Sequence, residues 1–372
     1  MWTPPSPGYR LLVDQAGIHA VTYAELAAAG LPVDTLRPQT LRMFSDGKEM
    51  AVYVTGEADG RLDQTDLIYF YGVPTADRYA KHNVYWLTYG GGDGLRMATR
   101  GGATSPQNAT WTAATLRHET NKSYVSSVPM RDGYDHWYGE RISAVGTNAT
   151  ARLTERFSLD GLVAAAGDAG LTVTLGSGVS GLHRVRLYVN GTLLGEETWS
   201  NNDYRTLHMD FPATDLRSGQ NEVVIELVND QIGRVIDLAY VDWVELTYPR
   251  DLTVTAGQFH FGDTAAGSWR YRLDGLPPAT AQVYDITDPW QVARMTTTAA
   301  GAATTFTSQA DAARRYVALT PDDVQAVVGI EAAQASDLLM PAESASYVIV
   351  SHADFLRAIQ PLYVWRTTGY RT

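Results

Sequence analysis

The 372-residue chain contains no cysteine. These residues therefore hold no disulfide, no thiolate-bound metal and no cysteine nucleophile. Charge is sparse as well, with 19% Asp, Glu, Lys and Arg. No apolar run approaches the length of a helix that crosses a bilayer. Lys and Arg number 29 against 41 Asp and Glu, a formal net charge of -12. No segment gathers cations into a phosphate-neutralising face, which argues against nucleic acid as a partner. Met1-Trp2-Thr3-Pro4-Pro5 lacks the basic start and apolar core of a signal peptide. There is no G-x-S-x-G elbow, and His19, His82, His183 and His208 stand singly, so no catalytic triad can be assembled.

Gly, Ser, Thr and Tyr are plentiful instead, as in β-rich extracellular proteins. A chain this long implies about two to four domains. Residues 1–122 read as an α+β, β-rich domain. Tyr9 to Val13 and Ile18 to Val21 are strands, and Thr22 with Glu25 forms a capping box opening a short helix that stops at Gly30. Residues 123–250 read as a β-sandwich. Val185, Leu187 and Val189 alternate with Arg184, Arg186 and Tyr188, and Asn190-Gly191 supplies a two-residue hairpin turn. Leu171 to Leu175, Asn221 to Leu227 and Ala239 to Tyr248 add strands, and this spacing favours two packed sheets. Residues 251–343 read as a small β-rich domain with strands at Phe259–Phe261, Trp269–Leu273 and Ala281–Ile286. The fold class is mainly β and multidomain.

Residues 344–372 differ. Tyr347-Val348-Ile349-Val350 is a continuous apolar run that predicts a strand buried on both faces, as in parallel sheets. Phe355, Leu356 and Ile359 then share one helical face, with Pro361 inside the helix. This is a βα unit without a neighbouring βαβ series, so the reading is that the residues are the front of a longer protein.

Two stretches are candidate sites. Asp59, Asp63 and Asp66 form an acidic, turn-rich loop of the kind that can supply oxygens to Ca²⁺, although the spacing departs from the twelve-residue calcium loop; the alternative is a solvated turn capped by Asp66. Trp199, Asn201, Asn202, Asp203 and Tyr204 combine flat rings, which stack on sugars, with polar groups that fix hydroxyls. Trp137 and Tyr138 are further aromatics near strand ends, while Trp137 and Trp243 are also candidates to fill the sandwich core. His118 and Glu119 are adjacent on a strand, point to opposite sides and read as packing at a domain junction.

The segment Tyr347 to His352, Gln360-Pro361-Leu362, Trp365-Arg366 and Gly369-Tyr370-Arg371 resembles the opening of the caspase-like domain of gingipain-type cysteine peptidases. Gly17 to Gly30, Arg42-Met43-Phe44, Val52-Tyr53-Val54, Asp66 to Gly72 and Asn83 to Leu87 resemble, in order, the amino-terminal region of secreted gingipain-like proteins and of a type IX secretion sortase subunit. Asp285-Ile286-Thr287-Asp288-Pro289 resembles the segment preceding the peptidase domain. Gly219 to Val223 and Val241 to Leu246 resemble jelly-roll, galactose-binding-like sandwiches. The resemblance implies a non-catalytic front portion of a secreted or cell-surface bacterial cysteine endopeptidase. Its Cys/His dyad would lie beyond this chain, and its partner would be a polypeptide substrate. A carbohydrate- or surface-binding module, with a glycan or cell-surface component as partner, is the alternative, as is a sortase-like secretion component.

Overall fold

The computed structural model describes residues 2–75, 80–129, 136–262, 265–333 and 347–369. They divide into two units, Met1–Ala332 and Ala333–Thr372. The first is built from pairs of β-sheets, so the mainly β, multi-sheet expectation holds.

The first pair gathers the amino-terminal strands. One sheet runs in the order Gly329–Ala332, Tyr9–Val13, Asn83–Thr88, Arg42–Ser45, Lys48–Met50, and the other Gln325–Ala326, Gly17–Thr22, Leu67–Gly72, Tyr53–Val54. Leu11, Val13, Val21, Leu26, Phe70 and Tyr85 fill the space between them. The helix Tyr23–Ala28 is capped as its sequence predicts: Thr22 Oγ1 accepts from the Glu25 amide while the Glu25 carboxylate accepts from the Thr22 amide. Two of its strands come from residues 325–332, more than 300 positions from the strands they join.

Leu67–Gly72 is apolar at nearly every position because both of its faces are covered. Phe70 faces the first core, while Tyr69 and Tyr71 pack with Tyr284, Ile286, Val317 and Leu319 of the third pair of sheets. That third pair takes in two distant pieces of chain. Ala98–Arg100 pairs in parallel with Ala293–Met295, and Gln107–Asn108 with Gly267–Leu273. Its core is a cluster of rings: Phe261, Tyr271, Phe306 and Tyr316 lie within 6.0 Å of one another, centroid to centroid.

The second pair, formed mainly from residues 112–250, is the antiparallel sandwich. One sheet orders Thr112–Glu119, Ile236–Arg250, Asp168–Ser177 and Tyr204–Pro212, with Arg141–Val145 also on Ile236–Arg250. The other orders Ala149–Leu159, Gly219–Asn229, Leu182–Val189 and Thr192–Ser200. The Asn190-Gly191 turn has positive φ at both residues, 49° and 88°, the backbone that matches the twist of its flanking strands. The core is mostly aliphatic, with Leu171, Val173, Val185, Leu187, Val223, Ile225 and Leu246 at its centre.

The second unit corrects one expectation. Leu356–Gly369 is a helix with Pro361 inside it, as read from sequence, but Tyr347–Val350 forms no strand. Val348 and Val350 are 72% and 93% exposed. A parallel strand exists only through hydrogen-bonding neighbours, and among the described residues none pairs with this run. Residues 334–346, Tyr370 and Arg371 lie outside the described residues. No helix among the described residues is long and apolar enough to cross a membrane.

Candidate functional site

Of the acidic loop, Asp59 and Asp63 are exposed and Asp66 is turned inward. Asp66 is buried, and its carboxylate accepts from Thr55 Oγ1 at 3.1 Å and from the Asp63 amide at 2.8 Å. Gly56 makes room for it with φ of 67°; a Cβ there would sit 2.2 Å from Asp66 Oδ1. Asp59 accepts from the Arg61 amide at 2.9 Å. Asp66 thus closes its own turn, and among the described residues no three His, Asp or Glu side chains are grouped to hold a metal ion.

In the Trp199 to Tyr204 corner, the two rings belong to the interior. Trp199 is 4% exposed, stacks on His183 with centroids 5.2 Å apart, and donates from Nε1 to Ser177 Oγ at 3.3 Å. Tyr204 is equally buried and donates its hydroxyl proton to Asp242, the half-buried carboxylate on the strand Ile236–Arg250. Asn201 adopts φ of 66°, Asn202 Oδ1 accepts from Ser180 Oγ, and Asp203 faces Arg205 at 3.1 Å. Ser177 clamps the corner: its Oγ accepts from the Asp203 amide at 2.7 Å and lies 3.0 Å from the Asn201 carbonyl. No flat ring of this corner is offered to a sugar.

The aromatic faces that reach solvent lie elsewhere. Trp137 is 44% and Tyr124 60% exposed, packed edge to face on the short ribbon Ser123–Tyr124 and Trp137–Tyr138. Trp137 therefore does not fill the core, and neither does Trp243, whose ring carries the Arg117 guanidinium 4.0 Å above it on the sheet surface. Trp199 takes that place instead.

A buried polar cluster went unmarked in the sequence. His183 Nδ1 lies 2.7 Å from Asp237 Oδ1, and both side chains are fully buried. A carboxylate can only accept, so Nδ1 carries the proton. Arg234 reaches the same oxygen at 3.0 Å. Ser177, His183 and Asp237 have the residue types of a hydrolase triad, yet no substrate can reach them, and Ser177 is engaged with backbone. The signal was in the alternation: His183 shares the inward phase of Val185 and Leu187, and Asp237 that of Ala239 and Val241.

His118 and Glu119 take separate partners, as expected for strand neighbours that point to opposite sides. His118 stacks on Phe157 at 4.1 Å and faces Glu155, while Glu119 holds Arg117. They border a groove of about 270 Å³ with Glu140 and Asp242, whose carboxylates are taken by Lys122 and Tyr204.

Asp285, in the segment expected to precede a peptidase domain, is the hub of another buried set. It accepts from the Thr287 amide and hydroxyl and pairs with Arg314 and with Arg100 at 2.8 Å, tying residues 98–100 to the third pair of sheets. Burial alone would raise its carboxyl; the Thr287 hydroxyl and amide and the Arg314 charge outweigh this and hold it below the usual carboxylate range. A depressed folded-state value means stability present above the unfolded value, about pH 3.9, and lost as pH falls through the folded one. In urea titrations the deficit of Asp285→Asn relative to wild type should therefore narrow as pH drops from 7 to 3. A deficit of constant size would mean that the charge contributes nothing.

No family model matches the chain, and no curated protein sequence does. Among solved structures, a family 36 carbohydrate-binding module with calcium and xylotriose aligns over 36% of this chain and 98% of its own at 16% identity. Its TM-score of 0.23 is too low to carry an argument. The same holds for a related module of a xylanase from the hindgut metagenome of Trinervitermes trinervoides, at 16% identity over 39% and 98% of the two chains, with a TM-score of 0.21. Over 88% of its length, with a TM-score of 0.65 and 19% identity, the chain has the fold of a portion amounting to 33% of dimeric latent PorU from Porphyromonas gingivalis.

Proposed function

We propose that these residues are the non-catalytic front portion of a gingipain-like cysteine peptidase, serving as a β-sheet scaffold for peptide-bond hydrolysis carried out elsewhere in the parent protein. The observation that carries this reading is the fold shared with PorU along nearly all of the chain. The absence of cysteine supports the non-catalytic assignment, since the reaction needs a thiolate activated by a His. The helix Leu356–Gly369 fits the same reading. Phe355, Leu356, Tyr363, Val364 and Trp365, spread around it, are all more than half exposed, as expected of an element that a larger fold would cover.

In such a peptidase the thiolate attacks the scissile carbonyl, and the His that received its proton returns it to the leaving amine. The test uses the parent protein with a broad panel of fluorogenic peptides. Hydrolysis should occur and should vanish after alkylation with iodoacetamide. Hydrolysis that survives alkylation, or a parent protein without a reactive thiol, would overturn the proposal.

A further inference from the structure

Two rim strands of different sheets face each other across a cleft. Thr112–Glu119 is the rim of its sheet, paired on one side with Ile236–Arg250 and, among the described residues, with no ladder on the other. Phe259–Gly262 is likewise a rim, paired among the described residues only with Arg315–Leu319. A hydrogen bond joins the rims: Thr112 Oγ1 accepts from the Gly262 amide at 3.0 Å and lies 3.3 Å from the Gly262 carbonyl. Between the strands lies a cleft of about 550 Å³, bordered by residues 112–116 of one and 259–262 of the other.

The charge in this cleft is of one sign. Arg250, Arg314, Arg315 and His260 line it, and among the described residues no Asp or Glu does, in a chain whose formal charge is -12. Arg314 is committed to Asp285 behind the wall. Arg250 lies with its guanidinium 4.8 Å from the Phe259 ring centre and donates from Nη2 to the Thr253 carbonyl at 3.4 Å, while its buried Nε has no hydrogen-bond partner among the described residues. Arg315 is exposed and spends one N–H on the Thr287 carbonyl at 3.3 Å. Cations with donors left over select an anionic partner, and guanidinium matches carboxylate best. Unpaired strand rims select a partner with backbone of its own, because extended peptide alone satisfies a row of amide and carbonyl groups.

We propose that this cleft binds an extended acidic peptide segment, which adds as a strand to a rim while its carboxylates meet Arg315 and Arg250. The proposal stands independently of the peptidase reading. A free anion such as phosphate would satisfy the arginines but leave both rims unpaired.

The test measures fluorescence anisotropy of labelled peptides on the full chain. The probes are a peptide alternating valine with glutamate, its lysine counterpart, and the glutamate peptide N-methylated at alternate residues. The glutamate peptide should bind, weaken with added salt, and outcompete the lysine peptide. N-methylation should abolish binding by removing the strand's donors. Arg315→Glu should weaken it by roughly tenfold or more, with the circular dichroism spectrum unchanged. Ala256→Glu, at an exposed position on the wall, should do the same and covers the case in which Arg315→Glu fails to fold. Equal binding of both charge types, indifference to either substitution, or displacement by inorganic phosphate with no effect of N-methylation would each overturn the proposal.

Discussion

Asp237→Ala should destabilise the sandwich by about 3–5 kcal/mol, the loss typical of a buried charge deprived of its partner. The carboxylate receives His183 Nδ1–H, Arg234 Nη2 and the Leu238 amide on one oxygen, at 2.7, 3.0 and 2.7 Å. Removing it strands a fully buried imidazole and a guanidinium that is almost as deeply placed. The penalty comes from what is left behind. Replacing both members, His183→Leu with Asp237→Leu, should therefore cost less than the single change, because Arg234 still reaches the carbonyls of Leu182, Ser180 and Ile236. Urea midpoints at unchanged slope measure both variants. A single variant within half a kcal/mol of wild type would show that water or repacking compensates.

That cluster also marks how far the sequence could be read. Alternation of Val185, Leu187 and Val189 gave Leu182–Val189 its inward face, although His183 in the same phase went unmarked, and Asn190-Gly191 set the hairpin, because both are local properties of the backbone. The Thr22 capping box and the helix with Pro361 were legible for the same reason. Nothing local says which distant strand lies opposite. Asp237 meets His183 across 54 positions, and Gln325–Ala326 closes a sheet begun at Gly17. Aromatic side chains were the hardest to place, since their size suits a core and their flat faces suit a ligand. By sequence Trp199 is a candidate sugar-stacking ring and Trp137 a candidate for either role; the structure buries the first and exposes the second. Tyr347–Val350 is the complementary case. Its strong local preference for a strand is not realised, because a strand needs partners that its own residues cannot provide.

Phe306→Ala should cost about 3–5 kcal/mol, the usual range for deleting a buried ring. Phe306 stacks on Tyr271 with centroids 4.8 Å apart and planes 11° from parallel, and meets Phe261 and Tyr316 edge to face. Its removal takes away dispersion contacts with three neighbours at once, and large rigid rings collapse poorly into the space. Phe306→Leu keeps most of the volume but loses the stacked geometry, so it should fall between, at about 1–2 kcal/mol. The loss should have an address. Ring contacts bind the third pair of sheets internally, whereas its boundary with the sandwich contains the cation-lined cleft. Hydrogen exchange in Phe306→Ala should accelerate first in the strands Phe259–Gly262, Gly267–Leu273, Ala303–Ala310 and Arg315–Leu319. Residues Ala98–Arg100 and Gln107–Asn108 should follow them, being held to that region by parallel pairing and the Arg100–Asp285 ion pair, while Leu171–Leu175 in the sandwich stays protected. Uniform acceleration throughout residues 2–332 would instead mean that all three pairs of sheets unfold as one body.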